Sequence, residues 1–358
     1  MKFGILVSPG AHAAAQVKKA EAQGFDSAFF VDSPMIFGDL YVSMAAAAVQ
    51  TSRIMLATGV TNPLTRSAPV TASSLASLNA LAPGRIAMGI SVGFTANLAM
   101  GQRNATLAEL ERYVQAVRRL LRGEEAEVEV SGASTVVQFL NPEGSWVNLR
   151  DRIPVYVAAA GPKSLEVAGQ IADAIILGGI TNVDVIKACK QRVAAGAARV
   201  GRQVEEIELA ITPSVYVTER EPTFEHLREV LGPKSLAPAM LYSRIAETSG
   251  AVPKNVTEEL LRVREAAYNP APGPTEDSRR RHLKTFRGYM TQLKEWQYPV
   301  ITETVLDATS IAGTPEQCRA KIRRLIEHGI GHIILTPLPH FMDATIEVYG
   351  KRILPLLR

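Results

Sequence analysis

Eight short apolar segments, each followed by a helix-period pattern that ends in glycine or a polar turn, predict an α/β fold. Segments so continuously apolar are covered on both faces, which indicates a parallel sheet sheathed by helices rather than a half-exposed antiparallel one. The economical closure is a (β/α)8 TIM barrel with insertions after strands 4 and 7. A doubly wound open sheet is the alternative. It would carry Gly-x-Gly-x-x-Gly after its first strand, where "VSPGAHAAA" offers only Gly10.

In order, "FGILVS" (3–8) is a strand and "AAAQVKKAEAQG" a helix closed by Gly24. "SAFFVD" (27–32) precedes helix "LYVSMAAAAVQTSR", and "IMLATGV" (54–60) precedes "VTASSLASLNALAPG". "RIAMGIS" (85–91) precedes "TLAELERYVQAVRRLLRG", which ends at Gly123. Alternating residues and turn signals over 127–149 break the rhythm and predict a β-hairpin insertion. The alternation resumes with "PVYVAAAG" (154–161), helix "PKSLEVAGQIA", strand "AIILGG" (174–179), helix "VDVIKACKQRVAAGAARVG" and strand "IELAITPSVYV" (207–217). Residues 222–306 read as a helical insertion or lid, with "NPAPGP" (269–274) as an exposed linker. A last helix and strand close a single domain over 1–358, the helix opened by Thr314, Pro315 and Gln317 as a capping box.

An apolar fraction of 47% with 21% charged residues supports a large core and argues against disorder. The net charge of +4 is dispersed, which gives no case for a nucleic-acid partner. Its one dense cluster, "SRRRHLK" (278–284), reads as a solvated helix face. Cys189 and Cys318 lie far apart in helical patterns, so neither a disulfide framework nor a thiolate metal site is expected. The N-terminus enters a strand directly and no stretch of ~18 apolar residues follows, so a soluble cytoplasmic protein without a membrane partner is predicted.

In a barrel the chemistry sits at the carboxyl ends of the strands. Those ends here are Ser8 and Pro9, Asp32 and Ser33, Gly59 to Asn62, Ser91 to Gly93, Ala159 to Gly161, Gly178 and Gly179, and Thr336. No lysine stands at a strand end for a Schiff base, and Asp32 is the lone carboxylate, so aldolase and paired-carboxylate glycosidase chemistry are unsupported. The histidines, His12, His226, His282, His328, His332 and His340, show no ligand spacing, and no metal is expected. Small residues and backbone suit a large flat ligand that carries the hard chemistry itself. Gly161, Pro162, Lys163 and Ser164 at a helix start are either a phosphate site or an ordinary turn capped by Ser164; Gly178 and Gly179 leave the same two readings. His12 is an acid/base candidate or an exposed loop residue without a role. Met35, Phe37 and Tyr41 line a substrate pocket or pack the core.

Six pieces in order resemble the bacterial luciferase-like superfamily, closest to its methylenetetrahydromethanopterin-reductase-like branch. They are "AEAQGFDSAFFVD", "GVTNP" with Arg66, "TASSLASL", "GRIAMGISVG", "AAAGPKSLEVAGQIADAIILGG" and "AGTPEQCRAKIRRLIEHGIGHIIL". The resemblance covers most of the chain outside about 220–305. It implies reduced FMN or coenzyme F-420 (8-hydroxy-5-deazaflavin) as cofactor, and a non-prolyl cis peptide after strand 3, by position Gly59–Val60, backing the ring. It also implies that Thr61 and Asn62 contact the ring or its side chain and that Ser91 to Gly93 lie beside the ribityl chain. Gly161, Lys163 and Ser164 with Gly178 and Gly179 would hold phosphate, and Asp32 with Ser33 would face the reactive edge. Many members have His where Ser33 stands, and luciferases an Arg where Val92 stands. The leading expectation is an FMN- and oxygen-using monooxygenase of a small organic substrate, served by a separate flavin reductase and dimeric. A deazaflavin-dependent hydride-transfer enzyme is the alternative, and a non-catalytic flavin-binding barrel the second.

Overall fold

The computed structural model describes residues 1–130, 132–266 and 277–358. The expected linker 269–274 lies outside the described residues, as does Tyr268, one of the aromatics of 222–306 that the sequence offers as substrate contacts or as packing of the insertion. The eight barrel strands are β1 (Lys2–Val7), β2 (Ser27–Phe30), β3 (Met55–Thr58), β4 (Ile86–Ile90), β5 (Val155–Ala158), β6 (Ala174–Ile176), β7 (Glu208–Ile211) and β8 (His332–Leu335). Each pairs in parallel with its sequence neighbour, and the barrel closes where Lys2 to Ile5 lie opposite His332 to Leu335. The predicted barrel is therefore the observed one.

The strands are apolar throughout because the barrel has two buried faces. Inward residues alternate in size: Ala57, Ala87, Ala174 and Ala210 leave the space that Phe29, Tyr156, Ile176 and Ile334 fill. Outward residues pack under the helices. Helix 107–121 is opened by Thr106 and Glu109, which bond each other's backbone amides, and Thr314 with Gln317 forms the predicted capping box on helix 315–327.

The predicted strand 207–217 is two strands. Pro213 has no N–H to continue the ladder, and beyond it Ser214–Val217 leaves the barrel to pair in parallel with Ser310–Gly313. Strands Ala126–Val130 and Ala133–Val137 form an antiparallel hairpin, and no strand follows it up to residue 149. Between Ser214–Val217 and Ser310–Gly313 the described residues hold helices Phe224–Ser249, Lys254–Ala266, Arg281–Phe286 and Glu303–Thr309. In the basic cluster Arg279, Arg280 and Arg281 are exposed. Among the described residues, no helix is long and apolar enough to cross a membrane.

The amino-terminal end of the barrel is closed by a buried polar group. His332 Nε2 lies 2.8 Å from the Ser27 hydroxyl, and its Nδ1 lies 4.0 Å from Glu208, which accepts a hydrogen bond from the Tyr156 hydroxyl. Burial pulls the imidazole down to about 4. The unfolded chain takes up this proton near pH 6.5 and the folded chain only near pH 4. Stability is thus full above that window and falls as pH drops through it, by up to about 3 kcal/mol. Urea denaturation at pH 7, 5.5 and 4.5 is expected to show this decline, and His332→Gln is expected to flatten it.

Candidate active site at the barrel mouth

The carboxyl ends of the strands surround a cavity of about 430 Å³. Its floor is the top of the barrel core, Leu6, Val60, Ala158 and Ile176. A wider depression of about 1220 Å³ lies outside the barrel, between the hairpin, helix 107–121 and the Pro63 to Ala68 segment. The Gly59–Val60 peptide is cis. Gly59 N donates to Phe30 O and Thr61 N to Gly89 O, so the segment stays tied to both neighbouring strands while Val60 faces the cavity.

Asp32, just past β2, is 4% exposed and lines the cavity. Arg66 Nη1 stands 3.2 and 3.0 Å from its two oxygens, and the Thr61 hydroxyl donates to Oδ2 at 2.7 Å. Burial holds the Asp32 carboxyl above its ordinary value, against the opposing pull of Arg66 and of the hydrogen bonds from Thr61 and Arg66. Arg66 is delivered by local chemistry. Asn62 Oδ1 accepts from the amides of Leu64 and Thr65 and turns the chain, Asp39 takes the other guanidinium nitrogen at 2.5 Å, and the Tyr41 ring lies 4.8 Å beneath.

Helix Pro162–Ile171 begins at the cavity wall with Gly161 as its N-cap, and no side chain caps it. Ser164 Oγ donates to Gly161 O at 2.8 Å instead of capping the helix, so no side chain occupies the first-turn amides. The cavity is roofed by helix Phe224–Ser249 and the segment around Tyr289. Tyr242 donates to Ala159 O at 3.1 Å, and the Tyr289 hydroxyl lies 3.0 Å from that of Thr95. Gly179 permits this roof: a Cβ there would stand 2.7 Å from Pro238 Cγ and 3.1 Å from Thr212 O. Gly93 has φ +87°, and a Cβ would strike Asn97 and Asn62.

Of the residues singled out from sequence, Asp32, Ser33, Phe37, Gly59, Val60, Ser91, Gly93, Gly161, Ser164, Gly178 and Gly179 come together on the cavity. Ser8, Val92, Ala159, Ala160 and Thr336 line it too, whereas His12, Met35, Tyr41, Thr61, Asn62, Pro162 and Lys163 do not. His12 is exposed at the start of the first helix, and Met35 is 85% exposed. Tyr41 lies behind Asp32 against Arg66, while Thr61 and Asn62 are fully buried one layer back, where they hold Asp32 and the 62–65 turn. Pro162 and the exposed Lys163 stand at the helix start beside the rim. Tyr242 and Tyr289, which the sequence offers as substrate contacts or as packing of the insertion, line the roof, and sequence reasoning missed Lys234 beside them. The available signal was Lys234 itself, a charge on the buried stripe that Leu231, Ser235 and Tyr242 make at helical spacing.

Residues 4–332 match the luciferase-like monooxygenase family. The chain belongs to this family. It is an oxidoreductase whose cofactor is a flavin or the related deazaflavin. The luciferase-like chain is 29% identical to a 5,10-methylenetetrahydromethanopterin reductase of Methanolobus tindarius, with 99% of this chain and 100% of that protein covered. It is 26% identical to F420-dependent glucose-6-phosphate dehydrogenase 1 of Rhodococcus jostii, covering 95% and 92%. Its fold is that of the coenzyme F420 dependent tetrahydromethanopterin reductase from Methanopyrus kandleri. The TM-score is 0.70 at 22% identity, with 100% and 99% covered.

The cavity fits such a cofactor. Its floor is apolar, its rim is made of glycine, alanine and serine, and one wall ends in uncapped amides suited to an anionic tail. Removal of the cation behind Asp32 tests the polar wall. Arg66→Met is expected to cost about 3 kcal/mol because it strands a buried carboxylate. Adding Asp32→Asn is expected to recover most of that loss in chemical denaturation.

Proposed function

We propose that the protein is a coenzyme F-420-dependent oxidoreductase acting on a small organic substrate. When bound, the deazaflavin supplies or accepts a hydride at a substrate carbon. The observation that carries this reading is the end-to-end match to two curated relatives whose names are a methylenetetrahydromethanopterin reductase and an F420-dependent dehydrogenase. It favours hydride transfer over the oxygen-using FMN reading. Val92 supports the same preference, because the turn after β4 supplies no cation for an FMN phosphate.

In this reading Val60 backs the ring and Leu6 and Ala158 exclude water beneath it. Ser91 and Gly93 border the polyol chain. The amides of Lys163 and Ser164, with Gly161, Gly178 and Gly179, take the phosphate, and the Lys163 ammonium adds charge at the rim. Asp32 accepts or returns the substrate proton that accompanies hydride transfer. Its raised basicity suits that work, and Arg66 and Thr61 keep its oxygens oriented. Ser33 stands beside it as a hydrogen-bonding partner. The helices of 222–306 act as a lid. A homodimer in the cytoplasm follows from the family resemblance.

Fluorescence titration of the purified protein with F-420 and with FMN tests the cofactor. Binding of the deazaflavin at least about tenfold tighter is expected. Tighter binding of FMN, or of neither, overturns the reading. Asp32→Asn is expected to lower kcat by about 10²-fold or more while leaving the coenzyme Kd nearly unchanged.

A further inference from the structure

The roof helix carries a lysine that the proposed reaction does not use. Lys234 is 9% exposed and lines the cavity. Its Nζ donates to the carbonyl of Pro337, just past β8, which leaves two of its three donor positions for the cavity. Burial alone brings it down to about 7, with no acidic neighbour acting against that shift. On the helices packed against the roof, Asp184 pairs with Lys187, Glu258 with Lys254, Glu259 with Arg262 and Asp307 with Lys321, while Glu265 and Glu303 are exposed. The other ionisable groups on the cavity wall are also committed, Asp32 to Arg66, Tyr242 to Ala159 O and Tyr289 to Thr95. Beside Lys234, a bridge between Ser214 and Thr336 brings the ends of β7 and β8 together. Ser214 lines the cavity at 2% exposure, and its hydroxyl has no protein partner among the described residues.

A buried amine on an apolar roof is costly to charge unless an anion meets it. No described residue supplies that anion, which leaves the role to a ligand. The coenzyme tail is assigned above to the helix start after β5 and to Gly178 and Gly179 after β6, which leaves the β7–β8 wall to the substrate. We propose that Lys234, with the Ser214 hydroxyl, binds an oxyanion of the substrate, a carboxylate or a phosphate ester, against the β7–β8 wall. This rests on the deazaflavin reading only in naming the ligand a substrate. At pH 8 the amine is mostly neutral, so anion binding takes up a proton, and Lys234 then pairs with the oxyanion as an ammonium.

The test is calorimetry at pH 8 in two buffers of different ionisation enthalpy, on the protein alone and loaded with F-420. The probes are butyrate, propyl phosphate and the neutral butyramide. Uptake approaching one proton per anion bound is expected, with none for butyramide, and the tighter of the two anions identifies the substrate group. Lys234→Met should abolish the uptake and weaken anion binding about tenfold or more, with F-420 affinity unchanged by fluorescence quenching. Anion binding without proton uptake in the unaltered protein overturns the proposal whatever the variant does, as does absence of anion binding. Loss of F-420 affinity in the variant also overturns it, since Lys234 would then serve the coenzyme. Anion binding with uptake by a protein that ignores F-420 leaves the lysine assignment standing and removes the deazaflavin reading.

Discussion

The Asp32 carboxylate is buried at the end of an apolar strand, and a charge in that position persists only when a partner reaches it with good geometry. Arg66 is that partner, and the loops after β2 and β3 take their shape from the need to bring it there. Asn62 folds the chain back, Asp39 fixes the outer guanidinium nitrogen, and the Tyr113 hydroxyl donates to the Arg66 carbonyl at 3.0 Å. Asp39 also accepts from Val42 N and so starts the next helix. One ion pair thereby couples two loops, a helix cap and the residue next to the cis peptide.

The barrel was readable because its strands obey one rule, burial on both faces, and each is punctuated by glycine or a polar turn. The strand ends were readable for the same reason, which is why Asp32, Val60, Gly161 and Gly178 could be placed on one cavity from the chain alone. Depth at that rim was less readable. Thr61 follows Val60 directly, but the side chains of an extended segment alternate in direction, so one faces the cavity and the other Asp32. The roof was unreadable from strand order, since contacts such as Tyr242 to Ala159 and Pro238 to Gly179 join residues far apart in sequence. Pro213 was legible in principle: a residue without an N–H inside a long apolar run marks where a ladder stops.

The cavity has two kinds of wall. Between β3 and β6 it is made of backbone, small side chains and a helix start, a surface that accepts a broad planar group without much selection. Between β7 and β8 and on the roof it carries Lys234, Ser214, Tyr242 and Thr336, which have the reach and polarity to discriminate. Under the proposed function the barrel presents a common cofactor face and a particular substrate face.

The departure of the chain at Pro213 has a wider effect. Ser214–Val217 and Ser310–Gly313 hydrogen-bond to each other, so the long excursion between them leaves from and returns to a single two-stranded clasp. A segment clasped at its base behaves as a cassette. Lengthening it adds little closure entropy, about 0.6 kcal/mol per doubling for a flexible loop. Its contents can therefore be exchanged over evolutionary time while the barrel beneath keeps its register.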